Sequence, residues 1–203
     1  TCIAFFLHYL IFTKDVSVAL LANKLATARE LLGRLQMAYE HLPHWLQQGV
    51  EVWNKGSIEL ENGSKIMAAA TSSSAIRGTS QNMVYLDEFA FVPTNIQDEF
   101  FASVYPTISS GQSSKVLITS TPNGMNMFYR IWTESEEGRN AYARVDVHWS
   151  QIPGRDEAWR EQTISNTSEE QFRQEYECEF LGSSNTLIHP TKLRNMVYKH
   201  PIA

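Results

Sequence analysis

Apolar and polar residues fall along this chain in blocks whose lengths and periods predict distinct elements. Residues 1–12, TCIAFFLHYLIF, are strongly apolar. The run is too short to span a bilayer and lacks the basic flank and small-residue cleavage site of a signal peptide. It reads as a buried core helix; a membrane-surface helix would need a basic polar face. The chain begins with Thr1 rather than Met, and its N-terminus is read as truncated. Lys14-Asp15 make a turn. VSVALLA (16–22) is continuously apolar and of strand length, the pattern of a strand buried on both faces. From 23 to 42, Leu25, Ala28, Leu31, Leu32, Leu35 and Ala38 recur at helical spacing, with Pro43 at or beyond the helix end.

SIEL (57–60) and KIMAAA (65–70) flank Asn62-Gly63, a pair that supplies the positive φ angles of a tight hairpin turn. TSSSAIRGTS (71–80) is a polar loop of small residues holding Arg77 and Gly78. MVYLDEFAF (83–91) is an apolar strand that runs into two adjacent carboxylates, Asp87 and Glu88, and Pro93 closes it. A helix is predicted over 96–104, then a loop, SSGQSSK (109–115). VLITST (116–121) is a second buried strand, ending in the hydroxyls of Thr119, Ser120 and Thr121. After Pro122-Asn123-Gly124 a helix is expected over 125–132, and the alternation over 142–148 predicts a strand. Residues 156–164 and 168–179 read as helices, Ser168 and Gln171 fitting a capping box. From Gly182 the composition is loop-like. Strands alternating with helices, and apolar throughout, predict an α/β layered fold with a largely parallel sheet.

With 203 residues, 43% hydrophobic and 19% charged, the chain can bury a real core as one domain of ordinary size, or one plus a small appendage. The net charge of −5 gives no general pull on nucleic acid. DNA contact would have to come from a local patch, a ring of subunits or another part of the protein. Cys2 and Cys178 make neither a disulfide framework nor a CxxC metal motif. They read as reduced, buried, inert thiols, which suits a cytosolic setting.

In open α/β sheets, ligands bind beyond the carboxyl ends of the strands. Asp87-Glu88, Thr119-Ser120-Thr121 and the Arg77 loop all fall there. An Asp at such a strand end can hold a nucleotide-bound Mg²⁺, mostly through water. The next residue points elsewhere, because side chains alternate on a strand. As a Glu it can orient a water in line with a γ-phosphate. This is the Walker B pattern with an added glutamate; the alternative is a strand end capped by two solvated acids. The three hydroxyls could sense the γ-phosphate, or be ordinary turn chemistry before Pro122. Arg77 could neutralise charge on a transferred phosphoryl group, or be a surface arginine. No GxxxxGK[ST] phosphate loop occurs in the sequence.

Four segments together resemble the ATPase domain of the large terminase subunit of tailed bacteriophages, most of all the contractile-tailed branch. They are VEVWNKGSIELENGSKI (50–66), AIRGTS (75–80), VYLDEFAFVP (84–93) and VLITSTPNGMNMFYRIW (116–132), and QFRQEYECEFLGSSNTLI (171–188) adds to them. The resemblance implies a P-loop NTPase fold of the RecA-like type, with the first strand and phosphate loop absent. It implies an ATPase core over 1–150, a helical subdomain over 151–181 and a linker over 182–203 towards a nuclease domain. Asp87 matches the Walker B aspartate, serving the metal, and Glu88 the catalytic glutamate. Thr119, Ser120 and Thr121 match the motif that couples hydrolysis to movement. Arg77 matches an arginine that in some members reaches a neighbouring subunit's active site; in others the finger lies in the phosphate loop. Thr1 matches the hydroxyl residue of the phosphate loop or its neighbour. The implied cofactors are ATP and Mg²⁺.

The implied function is ATP-driven translocation of double-stranded DNA into a procapsid, in the cytoplasm of an infected bacterium and with no membrane. The implied partners are the portal protein, the small terminase subunit and further copies in a ring. By itself the fragment is expected to be inactive and marginally soluble. Two rival readings stand beside this one: a helicase-like ATPase on nucleic acid, and a degenerate scaffold that keeps the fold without the chemistry.

Overall fold

A computed structural model describes residues 2–72, 74–76, 78–109 and 114–182. The elements, in order, are α1 (Cys2–Phe12), β1 (Ser17–Ala22), α2 (Leu25–Glu40), β2 (Val50–Trp53), β3 (Ser57–Leu60), β4 (Lys65–Ala70), β5 (Met83–Asp87), α3 (Thr94–Ser109), β6 (Lys115–Thr119), α4 (Met127–Glu136), α5 (Glu157–Asn166) and α6 (Glu169–Tyr176). Three 3₁₀ turns join them, at His44–Leu46, Phe89–Phe91 and Trp149–Gln151. The chain forms two compact units, Thr1–Ser120 and Thr121–Ala203.

The first unit is built on one six-stranded sheet of order β2-β3-β4-β1-β5-β6. β4, β1, β5 and β6 run parallel, and β3 runs antiparallel to both its neighbours, β2 and β4. This is the expected layered α/β fold. β1 and β5 are apolar because both their faces are covered, whereas β6, expected to be a buried strand, is only partly buried. Val18, Leu20, Ala22, Ile66, Met83 and Tyr85 join one core with Phe6, Leu10, Leu32 and Leu35 of α1 and α2. Ala19, Leu21, Val84 and Leu86 alternate with them and are also fully buried.

α1 confirms the helix read from the first apolar run, although Phe5 and Phe12 on its outer side are exposed. The Asn62-Gly63 turn joins the antiparallel β3 and β4 as expected, but of the pair only Gly63, at φ 79°, takes a positive φ. That turn also clasps the end of α1. The Asn62 side-chain amide donates to the carbonyls of Leu10 (2.8 Å), Ile11 (3.3 Å) and Thr13 (3.3 Å). The fully buried Ser64 hydroxyl donates to Thr13 O at 2.6 Å. Helix ends leave carbonyls unpaired, and these side chains satisfy them.

The second unit holds α4, α5 and α6. Trp149, Trp159, Phe172 and Tyr176 pack ring against ring around α5 and α6. Arg155 stacks over Trp159, 4.6 Å from its centroid. Ser168 caps α6 by accepting from Gln171 N at 3.1 Å.

Several expectations need correction. Residues 142–148 form no strand. Their alternation lacks a buried face: Val145 and Val147 are 81% and 54% exposed. Side chains hold the segment instead, Ser135 Oγ donating to Tyr142 O and Arg144 pairing with Glu136. β2 is a strand that the hydrophobic pattern did not predict, because its outward residues Val50 and Trp53 are apolar and partly exposed. α3 continues past the predicted end at 104 and through Pro106 to Ser109. The two cysteines are free, as expected, but only half-buried. No helix among the described residues is long and apolar enough to cross a membrane.

Candidate active site

β5 ends on Asp87, which in the ladder sits beside Ala22 of β1 and Thr119 of β6. This is the carboxyl end of the parallel strands, where open α/β sheets place their ligands. Tyr85 lies two residues earlier and therefore on the same face. Three oxygens meet there. The Tyr85 hydroxyl donates to Asp87 Oδ1 at 2.8 Å and lies 2.8 Å from Thr119 Oγ1. Thr119 Oγ1 donates to Asp87 Oδ1 at 2.9 Å. Burial, first, and the Asp87 carboxylate hold the Tyr85 hydroxyl protonated far above the ordinary tyrosine range, while the Thr119 hydrogen bond pulls the other way. Among the described residues, no hydrogen bond or ion pair reaches Asp87 Oδ2.

Glu88 leaves the strand abruptly, at φ 54° and ψ 37°. A non-glycine residue in this left-handed region costs roughly 1–2 kcal/mol. Strand alternation predicts that Glu88 points away from Asp87. The left-handed backbone ends that alternation, and both acids border one cavity of about 420 Å³.

The residues flanking Glu88 are anchored. Thr119 holds Asp87 on one side, and on the other Ser120 Oγ accepts from Ala90 N at 3.0 Å. Phe89 and Ala90 bury themselves in the 3₁₀ turn that follows. From α3, the fully buried Gln97 side chain donates to Phe89 O (3.1 Å) and Val92 O (2.6 Å). The turn therefore has hydrogen bonds from two separate elements, which can hold a strained residue in place.

The opposite wall of the cavity is α2. Asn23, Lys24 and Thr27 line it at the amino end of that helix, and Leu31 and Arg34 line it further along. α2 has no acidic residue in its first turn, so the positive end of its dipole is not offset there. Arg34 pairs with Glu30 at 2.6 Å; both are well exposed, so the pair contributes about 0.5 kcal/mol or less.

The family model for the N-terminal part of the T4likevirus-type terminase large subunit matches residues 1–195. The chain belongs to the terminase large subunit family. The terminase large subunit of Thermus phage G20c is 30% identical over 128 residues, 56% of this chain and 25% of that protein. The chain thus matches only about a quarter of that relative's length. The large terminase ATPase domain of Thermus phage P74-26 has the same fold: TM-score 0.67 at 20% identity, over 89% of this chain and 82% of that one. The large terminase of another thermophilic bacteriophage, in complex with ATP-gamma-S, gives a TM-score of 0.62 at 9% identity, over 88% and 43% of the two chains.

Within this terminase domain, Asp87, Glu88, Thr119 and Ser120 come together as one cluster. Thr121 lies beyond the end of β6, as the first residue of the second unit. Arg77 and Thr1 lie outside the described residues, as does the expected linker beyond Gly182. Two participants escape the sequence reading. Tyr85 reads there only as a strand residue, though its spacing from Asp87 places it on the same face. Gln97 falls in helical register with Phe100, Phe101 and Val104, a polar residue on an apolar stripe, and that is the available signal.

Proposed function

We propose that this chain is the ATPase motor domain of a viral terminase large subunit, coupling ATP hydrolysis to movement of double-stranded DNA into a procapsid. The observation that carries the reading is the anchored strand end. Glu88, in left-handed backbone at the cavity edge, sits between residues gripped by Thr119 and Ser120.

In this reading Glu88 accepts a hydrogen bond from the attacking water and aligns it with the γ-phosphate. Asp87 serves Mg²⁺. The donor set fits: one carboxylate oxygen is fixed by two hydroxyls, and the other is open to a metal-bound water. Magnesium on a nucleotide keeps several waters and needs only one or two protein carboxylates. When bound, it would neutralise charge on the β- and γ-phosphate oxygens. Thr119 bonds Asp87 before Glu88 and Ser120 bonds Ala90 after it, so a change at the phosphates moves β6 as well; Thr121 extends that motif. Arg77 supplies positive charge to the phosphoryl group, in its own or a neighbouring subunit. Thr1 is the hydroxyl residue of the phosphate loop or its immediate neighbour. With no GxxxxGK[ST] among the 203 residues, turnover is assigned to the full-length subunit and not to this segment alone. That subunit also carries a nuclease domain beyond the 182–203 linker. It works as a ring on the procapsid, with portal protein and small subunit, in the host cytoplasm.

The test is a packaging reaction with full-length subunit, procapsids and double-stranded DNA. ATP-dependent protection of the DNA from added nuclease is expected, and Asp87→Asn should abolish it. ATP-driven strand separation without protection would replace this reading with a helicase-like one.

A further inference from the structure

The three-oxygen cluster at the end of β5 contains a residue to which the metal-and-water scheme gives no part. Tyr85 is 4% exposed and its ring packs on Phe6 of α1, 5.1 Å between centroids. Its hydroxyl reaches both Asp87 Oδ1 and Thr119 Oγ1 at 2.8 Å. The cluster has three oxygen–oxygen contacts and only two hydroxyl protons. An ionised Asp87 carries none, so it draws both protons to Oδ1. That arrangement fixes the carboxylate rotamer and leaves Oδ2 as the oxygen presented to a ligand.

We propose that Tyr85 is a positioning residue for the nucleotide-bound metal, fixing the Asp87 carboxylate and tying it to Thr119. The assignment rests on the Asp87 metal role proposed above. Because hydrogen bonds to a ligating carboxylate set its orientation, losing one typically lowers metal affinity roughly 10- to 100-fold. Tyr85 also links α1 to the site: Phe6 seats the ring, and the ring seats the carboxylate.

The experiment uses the full-length subunit and Mn²⁺ as the probe, with binding to the ADP complex followed by electron paramagnetic resonance. Tyr85→Phe keeps the ring and its contact with Phe6 and removes only the hydroxyl. It should weaken Mn²⁺ binding about 10-fold while leaving metal-free ADP affinity unchanged and lowering the melting temperature only slightly, by the loss of one buried hydroxyl. Thr119→Val should weaken Mn²⁺ binding similarly, and the double variant should lose less than the product of the two, because both groups act on one oxygen. Asp87→Asn is the control that separates the two claims. Wild-type Mn²⁺ affinity in Tyr85→Phe, with affinity lost in Asp87→Asn, overturns the role of Tyr85. Affinity retained in Asp87→Asn overturns the metal site itself. If Tyr85→Phe does not fold, Thr119→Val decides alone: unchanged Mn²⁺ affinity in it overturns the proposal.

Discussion

The two ends of the parallel sheet each hold a polar cluster and a non-glycine residue in left-handed backbone, Asp15 at φ 56° and Glu88 at φ 54°. The clusters differ in where their hydrogen bonds go. At the amino end, Asn62 and Ser64 satisfy the last carbonyls of α1, and Asp15 N donates to Asn62 O at 3.1 Å. The short Asp side chain is one of the few that tolerates this conformation. At the carboxyl end, Thr119, Ser120 and Gln97 fix the backbone and carboxylate around Glu88, and Asp87 Oδ2 remains open. Glu has no such tolerance, yet it occupies the left-handed position there. One end uses its polar groups to close the fold, and the other uses them to set two acids at the edge of a cavity.

Breaking the amino end should therefore affect stability and not chemistry. Asn62→Ala removes the donors to two α1 carbonyls, Leu10 and Ile11, and to Thr13 O just beyond the helix, and should cost about 2 kcal/mol. Chemical denaturation would measure it, and ATP turnover per folded molecule in the full-length subunit should be unchanged. Gln97→Leu lies between the two behaviours. It takes the side-chain donor from Val92 O and one of two donors from Phe89 O, which keeps Val92 N–H, at about 1–2 kcal/mol, and should lower both the melting temperature and turnover. Glu88→Gly sharpens the contrast, since glycine relieves the left-handed backbone. Stability should be retained or rise by about 1 kcal/mol while turnover is lost; Asp15→Gly, read in the same two assays, should change neither appreciably. The smallest effect belongs to 142–148. Replacing Val145 and Val147 with Thr should shift stability by less than about 0.5 kcal/mol, because neither side chain is buried; a strand there would have lost more.

Burial on both faces made β1 and β5 readable from their apolar runs, and Asn62-Gly63 marked its own turn. The 142–148 segment shows the limit: alternation without a covering face is not a strand. At the site, the acids and hydroxyls stood out because polar residues ended apolar strands. The left-handed turn at Glu88 did not, since it depends on hydrogen bonds from Ser120 and Gln97, neither of which adjoins it in sequence. Tyr85 was hidden for the opposite reason, being a buried aromatic in a strand of buried residues, with a hydroxyl that matters only once β6 lies alongside.

The most direct test of the account is ATP turnover and ATP binding in the full-length subunit carrying Glu88→Gln. The substitution keeps size and hydrogen bonding and removes the carboxylate proposed to orient water. Steady-state hydrolysis should fall by at least about 100-fold with ATP affinity retained. Turnover near that of the unmodified protein would contradict the assignment of this strand end as the catalytic centre.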